Sequence, residues 1–130
     1  MADAPYKIVA TEQNFAQAVL EASATQPVLI DFWAPWCGPC KGFAPVFEAA
    51  AEKHPDLVFA KVNTEEEQGI AGHFQIRSIP TLMIFREKVI IYSQAGALPA
   101  GAFDDLIARA REVDMAQVHA DIAKEESEQA

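Results

Sequence analysis

The residues best suited to chemistry are Trp36-Cys37-Gly38-Pro39-Cys40, which separate two thiols by two residues. This spacing lets the sulfurs meet when the first lies at a helix N-terminus and the second one turn inside. There the unpaired backbone N–H groups and the positive dipole end stabilise the Cys37 thiolate. Cys40 then lies behind it, able to attack a mixed disulfide formed on Cys37. A bare CxxC is also half of a zinc site, and it can be an inert structural disulfide. No second CxxC accompanies it, and His54, His73 and His119 are scattered singly. The pattern therefore favours redox chemistry and no metal.

A second signal is Asp31, inside the apolar run Val28-Leu29-Ile30-Asp31-Phe32-Trp33. A carboxylate buried there needs a hydrogen-bonding partner or a function. The functional reading is a proton acceptor behind the thiols. Lys61, in the equally apolar Val58-Phe59-Ala60-Lys61-Val62, is expected on the adjacent strand, paired with Asp31. A third signal is Ser78-Ile79-Pro80-Thr81, with proline at the start of a strand. Taken alone it is an ordinary trans proline, since cis bonds are about one in twenty at X–Pro.

The elements that must position these residues fit one domain. The chain has 130 residues, 51% hydrophobic and 22% charged, so it is globular and can bury a substantial core. A net charge of −9 disfavours nucleic acid and acidic membranes as partners. Two cysteines exclude a disulfide-dense secreted scaffold and a four-Cys zinc site. No signal peptide and no apolar run of membrane-spanning length is visible, so a cytoplasmic location is expected.

Lys7–Ala10 reads as a strand, and Thr11 as the cap of an amphipathic helix over 11–24 carrying Phe15, Val19 and Ala22. Val28–Trp33 has the pattern of a central strand covered on both faces. A helix from Cys37 to about His54 covers Phe43, Val46, Phe47 and Ala50, with Pro45 inside it as a kink. Leu57–Asn63 is another buried strand. Thr64-Glu65-Glu66-Glu67 has the form of a capping box before a short helix ending near Gly72. Thr81–Phe85 and Val89–Tyr92 form a hairpin around Arg86-Glu87-Lys88. Pro99 opens a helix carrying Phe103, Leu106, Ile107 and Ala110. The stripe then changes phase to Met115, Val118 and Ile122, and Asp114 caps a separate helix over about 115–125. Glu125–Ala130 is expected to fray. The order βαβαβαββα is that of an α/β domain with one mixed sheet.

Over about residues 6–112 the chain resembles the thioredoxins. The stretch Asp31-Phe32-Trp33-Ala34-Pro35-Trp36-Cys37-Gly38-Pro39-Cys40-Lys41 is similar to the family's active-site motif. Pro45, Lys61-Val62-Asn63, Arg77-Ser78-Ile79-Pro80-Thr81 and Gly96-Ala97 fall at the family's positions. The resemblance implies a five-stranded mixed sheet flanked by helices, and a cis Pro80 against the two thiols. The hairpin lacks the usual Gly, Leu98 offers no side-chain cap, and residues 113–130 extend past a 1–112 domain as an acidic segment. Neither an N-terminal zinc module nor a helical-repeat tail is expected.

The activity that the resemblance implies is reduction of disulfides in target proteins, by Cys37 attack and Cys40 resolution. Asp31, tuned by Lys61, would accept the Cys40 proton. Trp36, Gly38, Pro39, Ile79, Pro80, Gly96 and Ala97 would form the docking surface, with strand-like pairing beside Pro80. No bound cofactor is implied; electrons come from NADPH through a flavin-dependent thioredoxin reductase, and the protein acts as a monomer. Gly-Pro between the cysteines, with no His to add charge, points to a reductant. An alternative is a clamp or holdase whose groove matters more than its redox cycle.

Overall fold

A computed structural model describes residues 7–129. The strands are β1 (Lys7–Val9), β2 (Val28–Trp33), β3 (Val58–Asn63), β4 (Thr81–Arg86) and β5 (Val89–Ala95). The α-helices are α1 (Gly38–Lys53), α2 (Gln68–His73), α3 (Ala100–Glu112) and α4 (Met115–Gln129). One mixed sheet has the order β1-β3-β2-β4-β5. β3 runs parallel to both β1 and β2, while β4 is antiparallel to β2 and β5. The apolar run of β2 is thus explained, because β2 has a strand on either side and is covered above and below.

Side-chain alternation sorts the core into two layers. Leu29, Phe59, Leu82 and Ile84 face α1 and α3, packing with Phe43, Phe47, Phe103 and Ile107. The rings of Phe43, Phe47, Phe59 and Phe103 form a chain with centroids 5.3 to 5.9 Å apart. Val28, Ile30, Phe32, Val58, Ala60, Val62, Met83 and Phe85 face the other way, toward the first helical segment and α2. Each fully buried aliphatic or Phe side chain contributes about 1.5–3 kcal/mol, so both helical layers are clamped by the sheet.

Several local expectations are corrected. The segment expected as one α-helix over 11–24 is π-helical at Ala16–Glu21 and 3₁₀ at Ala22–Ala24. Thr11 and Asn14 still cap its entrance reciprocally, backbone N–H to side chain, at 2.7 and 3.3 Å. The tight final turn puts Ser23 fully inside. Its carbonyl accepts from Glu87 N–H at 2.7 Å and its hydroxyl from Lys88 N–H at 3.0 Å, so tertiary hydrogen bonding outweighs α-helical winding.

The capping box at Thr64–Glu67 does not form. The Asn63 carboxamide oxygen accepts from Glu65 and Glu66 N–H at 2.9 and 3.3 Å, an Asx turn. Thr64 Oγ1 donates instead to Trp33 C=O, and α2 starts later with no side-chain cap. The hairpin turns on two residues, Glu87 and Lys88, both left-handed at φ 52° and 67°, the signature of a type I′ turn made without glycine.

Asp114 accepts from Gln117 N–H at 3.1 Å, and Met115 is buried. Val118 and Ile122 are half-buried. α4 continues to Gln129, so the helix includes most of the segment expected to fray. Arg86 Nη1 fastens the α3–α4 joint by donating to the carbonyls of Ala110, Arg111 and Val113 at 3.0 to 3.2 Å.

Candidate active site

Cys37 is the N-cap of α1, with extended backbone angles of φ −83° and ψ 116°. Its Sγ accepts a hydrogen bond from Cys40 N–H at 3.2 Å. Gly38 and Pro39 fill the first two helical positions, where missing or unpaired N–H groups cost nothing, so the chain enters the helix directly from the first sulfur. The two cysteines are joined as a disulfide with Cα atoms 5.2 Å apart. Both are buried in this state, at 4% and 3% exposure, so accessibility does not separate them; position relative to the helix end does. Ala34, Trp33 and Ile79 pack around the pair.

The Ile79–Pro80 peptide is cis. The Ile79 carbonyl oxygen lies 3.7 Å from Cys37 Sγ. Pro80 itself is buried and Ile79 half-buried. Gly96 N–H donates to Pro80 C=O at 2.8 Å, which draws Gly96 and Ala97 beside this loop. Gly96 has φ +112°, a region side-chain-bearing residues avoid, and space around it is open; backbone geometry alone calls for glycine.

Trp36 is 66% exposed next to Cys37, and its indole N–H donates to the Glu65 carboxylate. Glu65 is invisible as a site residue in the sequence because it stands in an acid run that reads as a helix cap. The signal that could have found it is Asn63, whose Asx turn points the following residues toward the end of β2.

Asp31 and Lys61 are register partners on parallel strands, so both side chains rise from the α1 face of the sheet. They do not make the expected ion pair. Asp31 is 1% exposed and neither carboxylate oxygen has a hydrogen-bond partner among the described residues. Burial raises its pKa to about 6, with attraction from Lys61 pulling the other way. The Lys61 ammonium lies 3.8 Å from Glu48 Oε2 and 5.1 Å from the centroid of the Trp33 ring. Glu48 is a second residue the sequence does not reveal, because it reaches Lys61 from α1, whose placement over β3 only the structure shows.

The histidines stand apart from the thiols. His54 meets Arg111, His73 packs edge-on to Phe74, and His119 meets Glu87. Among the described residues no group of three or more His, Cys, Asp or Glu could hold a metal ion, and no helix is long and apolar enough to cross a membrane.

A cysteine pair that opens a helix at the end of a central parallel strand, faced by a cis-proline loop, defines a class: the dithiol–disulfide oxidoreductases of mixed α/β architecture. The sequence model of the thioredoxin family matches residues 6–109. The chain is 52% identical over 118 residues to Putative thioredoxin 2 of Streptomyces coelicolor, covering 91% of this chain and 86% of that one. It is 50% identical over 90 residues to Thioredoxin 1 of Synechococcus elongatus, covering 68% and 82%. It is 45% identical over 89 residues to the chloroplastic Thioredoxin M-type of Chlamydomonas reinhardtii, covering 68% and 62%. The chain belongs to the thioredoxin family, and its chemistry is dithiol–disulfide exchange at Cys37 and Cys40.

Proposed function

We propose that the protein works as a reductant of disulfides in other proteins, with Cys37 as nucleophile and Cys40 as resolving thiol. The observation that carries this reading is Cys37 at the N-cap of α1, its sulfur already accepting a backbone N–H. A helix end stabilises a thiolate there, whereas Cys40 gains no such help one turn inside. Cys37 thiolate attacks one sulfur of the target disulfide; a mixed disulfide forms and the other target sulfur leaves as thiolate. Cys40 thiolate then attacks Cys37 Sγ and expels the second target thiolate. Two electrons pass to the target, two protons end on its thiols, and Cys37–Cys40 is left oxidised.

Asp31 is the acceptor of the Cys40 proton in this reading, reached through water, and Lys61 tunes it. A buried carboxylate with no hydrogen-bond partner among the described residues and a pKa raised to about 6 suits that role. Trp36, Gly38, Pro39, Ile79, Pro80, Gly96 and Ala97 form the surface that receives an extended target segment, main chain to main chain beside Pro80. Residues 1–112 act as the redox domain, with 113–130 an appended helical segment. The protein functions as a cytoplasmic monomer, re-reduced by an NADPH-dependent flavoprotein thioredoxin reductase. The test is insulin-disulfide reduction coupled to NADPH oxidation by a bacterial thioredoxin reductase. Activity should vanish in Cys37→Ser. Net oxidation of reduced substrate, or full effect without both cysteines, would refute the reductase assignment.

A further inference from the structure

Lys61 stands directly across from Asp31 in the β2–β3 register, on the same face of the sheet. An ammonium so placed would ordinarily turn onto an unpartnered carboxylate, because a lone buried charge is costly. Here it does not: both Asp31 oxygens lack a hydrogen-bond partner among the described residues, and the ammonium rests against Glu48 and the Trp33 ring. The Lys61 side chain is 26% exposed and that of Glu48 56%. A cleft of about 150 Å³ between β1, β3 and α1 opens this point to solvent, with Glu48 and Lys61 in its wall. The ammonium is therefore held on the solvent side by a carboxylate and an aromatic face, against the pull of a carboxyl inside.

We propose that Glu48 is a positioning residue: its carboxylate holds the Lys61 ammonium at the cleft, away from Asp31, and so sets the protonation of Asp31. The consequence for turnover rests on Asp31 being the proton acceptor. The titratable or charged groups facing Asp31 are few. Among the described residues β3 supplies Lys61, the N-cap and first turn of α1 carry Cys37 and Cys40, and Glu48 stands farther along α1 against Lys61. β4 pairs Leu82 with Asp31, and α3 turns Phe103, Ile107 and Ala110 inward, none of which titrates. Removing the Glu48 charge acts on Asp31 through Lys61. It frees Lys61 to approach Asp31, and the nearer ammonium favours the ionised carboxylate.

The test is NMR titration of the Asp31 carboxyl carbon in the reduced full-length protein. Glu48→Gln should lower the midpoint by about half a pH unit, as expected for a half-exposed pair. In a Lys61→Met background the same substitution should lose most of that effect, because nothing remains to be repositioned. The pH profile of target release from the mixed disulfide should move with the midpoint. No shift in Glu48→Gln overturns the proposal, as does an undiminished shift in Lys61→Met. A shifted Asp31 midpoint with a release profile that neither Glu48→Gln nor Asp31→Asn moves supports Glu48 as the positioner; it is the proton-acceptor role of Asp31 that then fails.

Discussion

Asp31→Asn should stabilise the fold, and by an amount that depends on pH. The carboxyl is 1% exposed, lies among Leu29, Phe59 and Leu82, and has no hydrogen-bond partner among the described residues. Its pKa rises from 3.8 to about 6, desolvation being the larger cause and Lys61 opposing it. Two units at about 1.36 kcal/mol each make about 3 kcal/mol. The sign depends on which state ionises first. Below 3.8 the group is protonated folded and unfolded, so the wild type carries no penalty. Between 3.8 and 6 the unfolded chain loses its proton first and the penalty grows; above 6 it is constant. The amide cannot ionise, so the variant should gain about 2–3 kcal/mol near pH 7.5 and almost nothing near pH 4. Urea unfolding of the oxidised protein, run at several pH values with an unchanged m, measures this. A gain of equal size at every pH would mean that packing, not ionisation, is responsible. A loss at neutral pH would mean the carboxylate is a structural hub. The same variant should slow release of target from the mixed disulfide.

Limited alkylation of the reduced protein, mapped by mass spectrometry, should label Cys37 ahead of Cys40; the reverse order would overturn the assignment of nucleophile. Truncation after Glu112 removes the buried Met115, the Val113 carbonyl bound by Arg86 and the His119–Glu87 contact. It should lower Tm by a few degrees, about 1 kcal/mol, with insulin reduction nearly unchanged. An unaltered Tm would show that α4 contributes no docking energy, and lost activity that it serves the site. Gly96→Ala should cost about 1 kcal/mol through its φ of +112°, although open space surrounds it. Unchanged thermal stability would mean the loop relaxes to another backbone conformation.

Much of the fold is legible in the sequence because its strands are long apolar runs and its helices carry regular stripes. Val28–Trp33 can only be a strand buried on both faces, and Phe43, Phe47 and Ala50 can only face a sheet. Asp31 and the two cysteines stand out because each breaks a local pattern. The features that stay hidden depend on tertiary register. The winding at Ala16–Ala24 answers to hydrogen bonds between Ser23 and a turn about sixty residues away in sequence. The acid run reads as a cap because its spacing fits one, whereas Asn63 is nearer to the orphaned N–H groups and takes them. The expected Asp31–Lys61 pair fails for the same kind of reason. Strand adjacency is readable, but the competing carboxylate of Glu48 sits on a helix whose placement the sequence does not state.

The two ends of the sheet treat their polar groups in opposite ways. At the hairpin end Ser23 closes against Leu20, Glu87 and Lys88, and Arg86 occupies three carbonyls at the α3–α4 joint. Those contacts satisfy groups that the turns leave unpaired, and their removal should cost stability without touching exchange. Toward the thiols, Asp31 has no hydrogen-bond partner among the described residues, Gly96 holds a left-handed angle, and Cys37 takes the N-cap place that Ser or Thr would fill more stably. In the proposed mechanism these are the groups that move a proton, receive a chain and form a bond to sulfur. The aromatic layer of Phe43, Phe47, Phe59 and Phe103 lies beneath that region and offsets their cost. Substitutions that relieve strain toward the thiols should therefore raise stability while slowing exchange, and those at the hairpin should only lower stability.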